Sequence, residues 1–94
     1  MHFVYIIHSE SRDRFYVGES IDPLKRVIQH NQGHYSDSFS RQASDWRLVF
    51  KLECSGRKQA LQIEQHIKKM KSRKYIQNLL KYKEISAKLK EMYS

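Results

Sequence analysis

Tyr5, Tyr16, Arg26, His30 and Glu64 are the residues of this 94-residue chain whose types and spacing could do chemistry together. A phenol, an imidazole and a carboxylate can each take or give a proton, and a guanidinium can hold an anion. The two tyrosines stand eleven positions apart in apolar runs, and Gly18 lies two positions after the second. Arg26 and His30 are spaced i, i+4, so on a helix both project from one face. Glu64 follows Ile63 and lies three positions from both Leu61 and Ile67. That puts it at the edge of an apolar helical face, where a carboxylate is half-sheltered. Taken singly, each residue has an ordinary explanation. A strand tyrosine is usually core with its hydroxyl at water, and Arg26 with His30 suits a solvated helix face. Glu64 could merely pair with Lys68 at i, i+4 for about 0.2–0.5 kcal/mol, and Gly18 could serve a bulge. It is the ordered set that asks for a common purpose.

Other chemistries are excluded or weak. The chain has no P-loop, no dinucleotide-binding glycine pattern and no paired CxxC. His30 and His34 have a metal-like spacing, but Gly33 between them reads as a helix stop. The single cysteine, Cys54, excludes an intramolecular disulfide and suits a reducing compartment, so a cytoplasmic location is expected. It reads as a small strand-end hydrophobe. The longest apolar run, Phe3–Ile7, is far short of the roughly 20 residues that span a bilayer. It starts too near Met1 for a basic leader region.

Charge points to a polyanion. The net charge is +8, with 30% charged and 39% hydrophobic residues, a globular composition. Residues 1–56 carry seven basic and seven acidic residues, whereas 57–94 carry eleven basic residues against Glu64, Glu84 and Glu91. The whole excess therefore lies in the C-terminal part, and nucleic acid is the commonest partner of such a surface. Arg57, Lys58, Lys68, Lys69, Lys71, Arg73 and Lys74 are the expected contacts.

The elements that must position these residues follow from periodicity. Residues 2–8 are apolar in both alternating sets and read as a central strand buried on both faces. Ser9 to Asp13 reads as a turn, and residues 14–18 as a second, antiparallel strand. Asp22 as cap and Pro23 at the first helical position start a helix. Its expected buried stripe is Leu24, Val27 and Ile28, with the Arg26/His30 face turned well away, and Gly33 is its stop. Residues 33–45 read as a polar loop. A third strand over 46–53 places Trp46, Leu48, Phe50 and Leu52 on one face, with Val49 alone on the other. From Arg57 the period becomes helical. Ala60, Ile63, Ile67 and Met70 form one stripe, and Tyr75, Leu79, Tyr82, Leu89 and Tyr93 form another that Ser86 interrupts. A bend is expected near Lys71-Ser72-Arg73, leaving a C-terminal basic helix over 72–94 packed on the rest. The expectation is one α/β domain over 1–94, a three-stranded antiparallel sheet flanked by helices in the order ββαβαα.

The ordered set resembles the GIY-YIG nuclease family. Phe3-Val4-Tyr5 is followed after ten residues by Tyr16-Val17-Gly18, with Phe3 where the family name has its first glycine. Asp22-Pro23-Leu24-Lys25-Arg26, His30-Asn31, Trp46-Arg47-Leu48-Val49, Ala60-Leu61, Glu64 and Ile67-Lys68-Lys69 continue the pattern over about residues 2–80. The likeness is to small single-domain bacterial members, themselves similar to the N-terminal domain of the bacterial excision-repair nuclease.

The resemblance implies a GIY-YIG-like fold and a divalent-metal-dependent DNA endonuclease leaving 5′-phosphate and 3′-hydroxyl ends. It maps Tyr5, Tyr16, Arg26, His30 and Glu64 onto catalytic positions and Gly18 onto a structural one, and it suggests a place in DNA repair. Asn78 is the candidate for a family asparagine. The residue types suit the reaction. Arg26 offers a fork of donors to a phosphate gaining charge. Glu64 would hold one Mg²⁺ or Mn²⁺ with water in the remaining positions, and no small-molecule cofactor is implied. Tyr5 and His30 compete as the base, since free tyrosine titrates near 10 and histidine nearer neutrality. Tyr16 orients the water or phosphate. The alternative from another class is a module on the same fold that binds nucleic acid without cutting it.

Overall fold

The computed structural model describes residues 1–33 and 43–94. The polar loop expected over 33–45, and His34 within it, lie for the most part outside the described residues. Strands β1 (His2–Ser9), β2 (Arg14–Ser20) and β3 (Trp46–Cys54) form one antiparallel sheet in the order β2-β1-β3. β1 is thus central, as its two-faced apolar pattern requires. Val4 and Ile6 face one way, toward α2 (Arg57–Met70), α3 (Arg73–Lys81) and α4 (Lys83–Met92). Tyr5 and Ile7 face the other way, toward α1 (Pro23–Asn31). Two clusters result. Val4, Ile6, Val17, Ala60, Ile63, Ile67, Leu79 and Leu89 form an aliphatic core. Tyr5, Ile7, Val27 and Trp46 form a smaller, more aromatic one.

β3 serves both clusters, against the expectation of one apolar face. Ile6 pairs with Phe50 but Ile7 with Leu48, so Val49 is an extra residue and the register shifts there. A bulge of this kind reverses the alternation beyond it. Trp46 and Leu48 therefore pack with Tyr5 and Ile7, while Phe50, Leu52 and Cys54 pack with Val4 and Ile6. Burial pushes the Cys54 thiol up from its ordinary value, which suits its reading as a hydrophobe.

α1 begins where the sequence predicts, with Pro23 in the first turn and the Asp22 carboxylate accepting from Lys25 N at 3.2 Å. Gly33 just beyond it has φ 71°, the left-handed backbone that glycine adopts freely. Its buried stripe differs from the expected one. Pro23, Val27 and His30 are buried, whereas Leu24 and Ile28 are 62% and 56% exposed. The 3.6-residue period admits either choice, and the buried face is the one whose His30 bonds Tyr5 of β1.

The bend at Lys71-Ser72-Arg73 is present. Lys71 caps α2 in left-handed backbone, and Ser72 Oγ accepts from Tyr75 N at 3.1 Å. Met70, expected in the α2 stripe, is exposed, and Gln59 is buried at the other end of the helix. Gln59 accepts from Ser55 N at 2.7 Å and donates to the Lys90 carbonyl at 3.0 Å, which fastens α2 to α4. The single helix expected over 72–94 is two helices, broken at Tyr82, whose backbone is extended. At about 100° per residue, Leu79 and Leu89 would lie roughly 80° apart on a straight helix. The break turns both into the core, where each is 2% exposed.

Asp45, just before β3, fastens that strand to the end of β1. Its carboxylate accepts from Ser9 Oγ at 2.6 Å, Ser11 N at 2.9 Å and Ser11 Oγ at 2.9 Å. The Ser9 hydrogen bond first, then the Ser11 backbone donor, holds its carboxyl down to about 2 from an ordinary 3.8. A carboxyl lowered by folding stabilises the native state above its unfolded pKa and ceases to do so as pH falls through the folded one. Asp45→Asn should therefore melt below wild type at pH 7, with the gap closing between about pH 4 and 2. Paired thermal melts across that range check it; a gap that persists unchanged at pH 2 would assign the effect to shape alone.

Candidate active site

The site is built on the aromatic side of the sheet. Antiparallel pairing sets Tyr5 opposite Gly18 and Ile7 opposite Tyr16, so Tyr5, Tyr16 and Gly18 share one face. The Tyr5 ring lies directly across the Gly18 backbone. A Cβ at position 18 would stand 2.5 Å from Tyr5 Oη and 2.6 Å from Cζ, closer than real atoms approach. Glycine is thus required for contact, with no demand on its dihedral angles. Beyond it, Tyr5 Oη reaches His30 Nε2 at 3.0 Å. Both groups are buried, and the bond satisfies a phenol and an imidazole that burial would otherwise penalise. The half-buried Tyr16 ring stands in front, its centroid 4.8 Å from that of His30 and 6.4 Å from the Trp46 ring.

Asn31 fixes the end of α1 that carries His30. Its side-chain amide donates to the Trp46 carbonyl at 2.9 Å, and its oxygen accepts from Trp46 N at 2.6 Å. One side chain thereby pairs with β3 as a neighbouring strand would. Helix α1 is held by its last turn, next to the imidazole it presents.

Glu64 lies on α2, the helix that packs on the Val4–Ile6 side of the sheet. Its carboxylate is 12% exposed, the half-sheltered edge position expected, and Lys68 Nζ lies 3.5 Å from Oε2. The same ammonium lies 5.8 Å from the Tyr16 ring centroid. Lys68 therefore joins Glu64 to Tyr16, a bridging role that its i, i+4 spacing from Glu64 did not foretell. Arg26 sits one turn before His30 and lines a neighbouring pocket with Glu19 and Arg57. Arg57 Nε is 3.9 Å from Glu19 Oε1, and His2 Nδ1 is 2.7 Å from Oε2. The expectation that Arg26 and His30 share a face turned from the core is corrected: His30 is in the core and Arg26 at its margin.

The basic residues expected to form one surface are divided. Lys68, Lys71 and Arg73 line a groove that Tyr16 also borders. Arg57 stands with Arg26, while Lys69 lines a separate pocket with His66 and Tyr93. Lys58 and Lys74 are exposed, and Asn78 on α3 is half-buried.

A family model for the GIY-YIG catalytic domain matches residues 1–77. The chain belongs to the GIY-YIG nuclease family. No curated protein and no solved structure matches it significantly. The three-stranded antiparallel sheet with its flanking helices is consistent with the GIY-YIG fold, and the domain is of nuclease type. The match covers the sheet, α1 and α2 and ends within α3, so both tyrosines, Gly18, Arg26, His30 and Glu64 fall inside it. Phe3, in place of the first glycine of the family's name, is half-buried with the Lys51 ammonium 5.5 Å above its ring. Among the described residues no helix is long and apolar enough to cross a membrane.

A cation would find one carboxylate here. Among the described residues no three His, Cys, Asp or Glu side chains cluster as a closed metal site would need. Glu64, a half-sheltered carboxylate that pairs with the Lys68 ammonium, is of the donor type that suits a hard ion such as Mg²⁺ or Mn²⁺ keeping most of its waters.

The contact between Tyr5 and Gly18 generates a prediction. Gly18→Ala should cost about 1–3 kcal/mol by overpacking. In a Tyr5→Leu background the obstructing ring atoms are gone, and the same change should cost less than half as much. Urea denaturation of the four proteins checks this, and equal costs in the two backgrounds would remove the steric explanation.

Proposed function

We propose that the chain is a divalent-metal-dependent endonuclease that hydrolyses DNA phosphodiester bonds to 5′-phosphate and 3′-hydroxyl ends. What chiefly supports the reading is the gathering of Tyr5, Tyr16 and His30, drawn from two strands and a helix, at one place within a nuclease-type domain. In this reading the three residues divide the work by depth. Tyr16, half-buried, orients the phosphate and the attacking water. Tyr5 and His30 lie behind it and act as one proton-accepting unit. With the imidazole proton on Nδ1, Nε2 accepts from the Tyr5 hydroxyl, so a proton taken by the phenol can be passed on. Tyr5 and His30, bonded at 3.0 Å, are both placed to serve as the base in this reading.

Arg26 holds a phosphate oxygen through its fork of donors as negative charge grows. Glu64 would hold the divalent ion, which supplies Lewis-acid stabilisation of the leaving oxygen when bound. Lys68 pairs with the Glu64 carboxylate and also lies near the Tyr16 ring. Arg57, Lys58, Lys68, Lys69, Lys71, Arg73 and Lys74 supply affinity that depends little on sequence.

Glu64→Gln removes the charge and keeps the shape. Plasmid nicking in Mg²⁺ should fall by two or more orders of magnitude, since the lost stabilisation is several kcal/mol and each 1.4 kcal/mol is about tenfold. DNA binding should persist and stability change by less than about 1 kcal/mol, the usual worth of such an ion pair. Chelator should abolish wild-type nicking. A Glu64→Gln protein nicking at the wild-type rate would end this assignment. A wild type that nicks nothing in Mg²⁺ or Mn²⁺ while binding DNA would leave the non-cleaving module.

A further inference from the structure

A groove of about 850 Å³ runs between the β1–β2 turn and the junction of α2 with α3, and Tyr16 stands at its edge. Among the described residues Arg12, Arg14, Lys68, Lys71 and Arg73 line it against one acid, Asp13. Arg12 and Arg14 come from the part of the chain with no net charge. Folding therefore adds cations from the hairpin to those of the C-terminal helices, a concentration the linear charge count hides.

The two rims are held to each other. Arg73 Nη1 donates to the Asp13 carbonyl at 3.0 Å, Nη2 donates to the Asp13 carboxylate, and the guanidinium lies 5.1 Å from the Phe15 ring centroid. Asp13 also receives His8 Nε2 at 3.2 Å, so the groove's acid is engaged in holding its walls. Asp13 (φ 50°) and Lys71 (φ 46°) are the two non-glycine residues with left-handed backbone among those described, and both lie on this groove. Such backbone is disfavoured for residues with a Cβ. It persists where surrounding contacts enforce it, and it clusters at functional sites.

We propose that this groove is the track for the sugar–phosphate backbone of one nucleic-acid strand, and that it delivers the strand to Tyr16. The proposal rests on the reading of the Tyr5–Tyr16–His30 cluster as the cutting site. It adds where the strand lies. A groove with cations on both walls matches a chain of evenly spaced anions, and clamped walls present those cations without reorganisation on binding. Arg14 and Lys71 touch the strand from opposite sides, and Arg73 holds the walls in place.

Fluorescence anisotropy with the full chain in chelator tests the track, using single-stranded DNA and RNA oligomers of one sequence. Arg14→Gln/Lys71→Gln is compared with Lys83→Gln/Lys88→Gln, an equal loss of charge at exposed positions of α4. The groove pair should weaken binding about tenfold or more and flatten the log–log salt dependence by about one to two. The α4 pair should change affinity less than twofold. Weakening on either polymer supports the track, and the polymer bound more tightly identifies the strand. Equal loss from the two pairs, or none from the groove pair, overturns it. Should Lys71→Gln disturb folding, Arg12→Gln/Arg14→Gln makes the same comparison from the other wall. Plasmid nicking separates the two readings. A wild type that cuts nothing, with the groove pair still impaired in binding, keeps the track and drops the endonuclease. A wild type that cuts, with the groove pair unimpaired, drops the track alone.

Discussion

The burial of β1 on both faces is the constraint on which the rest of the molecule depends. A strand paired along both edges must bury two sets of side chains at once, and here the sets differ in kind. Val4 and Ile6 are purely apolar and gather the three C-terminal helices by their area alone. Tyr5 and Ile7 leave one hydroxyl on the opposite face that burial obliges to find a partner. That need is met by bringing a polar residue of α1 down onto the sheet. His30 is that residue, and it satisfies the Tyr5 hydroxyl. The aliphatic core and the Tyr5–His30 pair thus lie on opposite faces of a single strand.

The helices divide along the same line. α2 to α4 share one aliphatic cluster, braced by Gln59 between Ser55 and Lys90, and supply most of the cations. α1 packs on the aromatic cluster through few apolar side chains and relies on directional bonds, the Tyr5–His30 contact and the Asn31–Trp46 pairing. Such bonds are individually modest in net stability, about 0.5–1.5 kcal/mol, but they fix orientation in a way that apolar contact does not. That suits an element that sets an imidazole against the sheet.

Much of this was legible in the sequence wherever one physical signal acted alone. The two-faced apolar run of β1 set the sheet order, the Asp22-Pro23 start and Gly33 stop bounded α1, and the family pattern picked out Tyr5, Tyr16, Gly18 and His30, which the fold brings together. The errors arose where two signals competed. Helical periodicity favoured Leu24 and Ile28 as buried, but the bond from Tyr5 drew His30 inward and turned both leucine and isoleucine outward. Alternation placed Trp46 through Leu52 on one face, and one unpaired residue undid it. Tyr82 breaks the last helix without a proline or glycine to announce it, because the requirement it meets belongs to two leucines ten positions apart. Lys68 and Asn31 could have been found only by a reader who knew which strand would face them.

The unpaired residue in β3 sets a rule for how this domain can vary. Because Val49 is what lets Trp46 and Leu48 serve one cluster while Phe50, Leu52 and Cys54 serve the other, the strand is sensitive to length at that point. Val49 also packs against the aliphatic cluster, so an apolar side chain suits the position. Deleting it would carry the indole of Trp46 to the wrong side of the sheet and empty the wall behind Tyr16. Lineages of this domain should therefore show apolar residues at position 49 and no gap there, so an alignment column that varies among apolar letters and is invariant in presence would be the trace of the bulge.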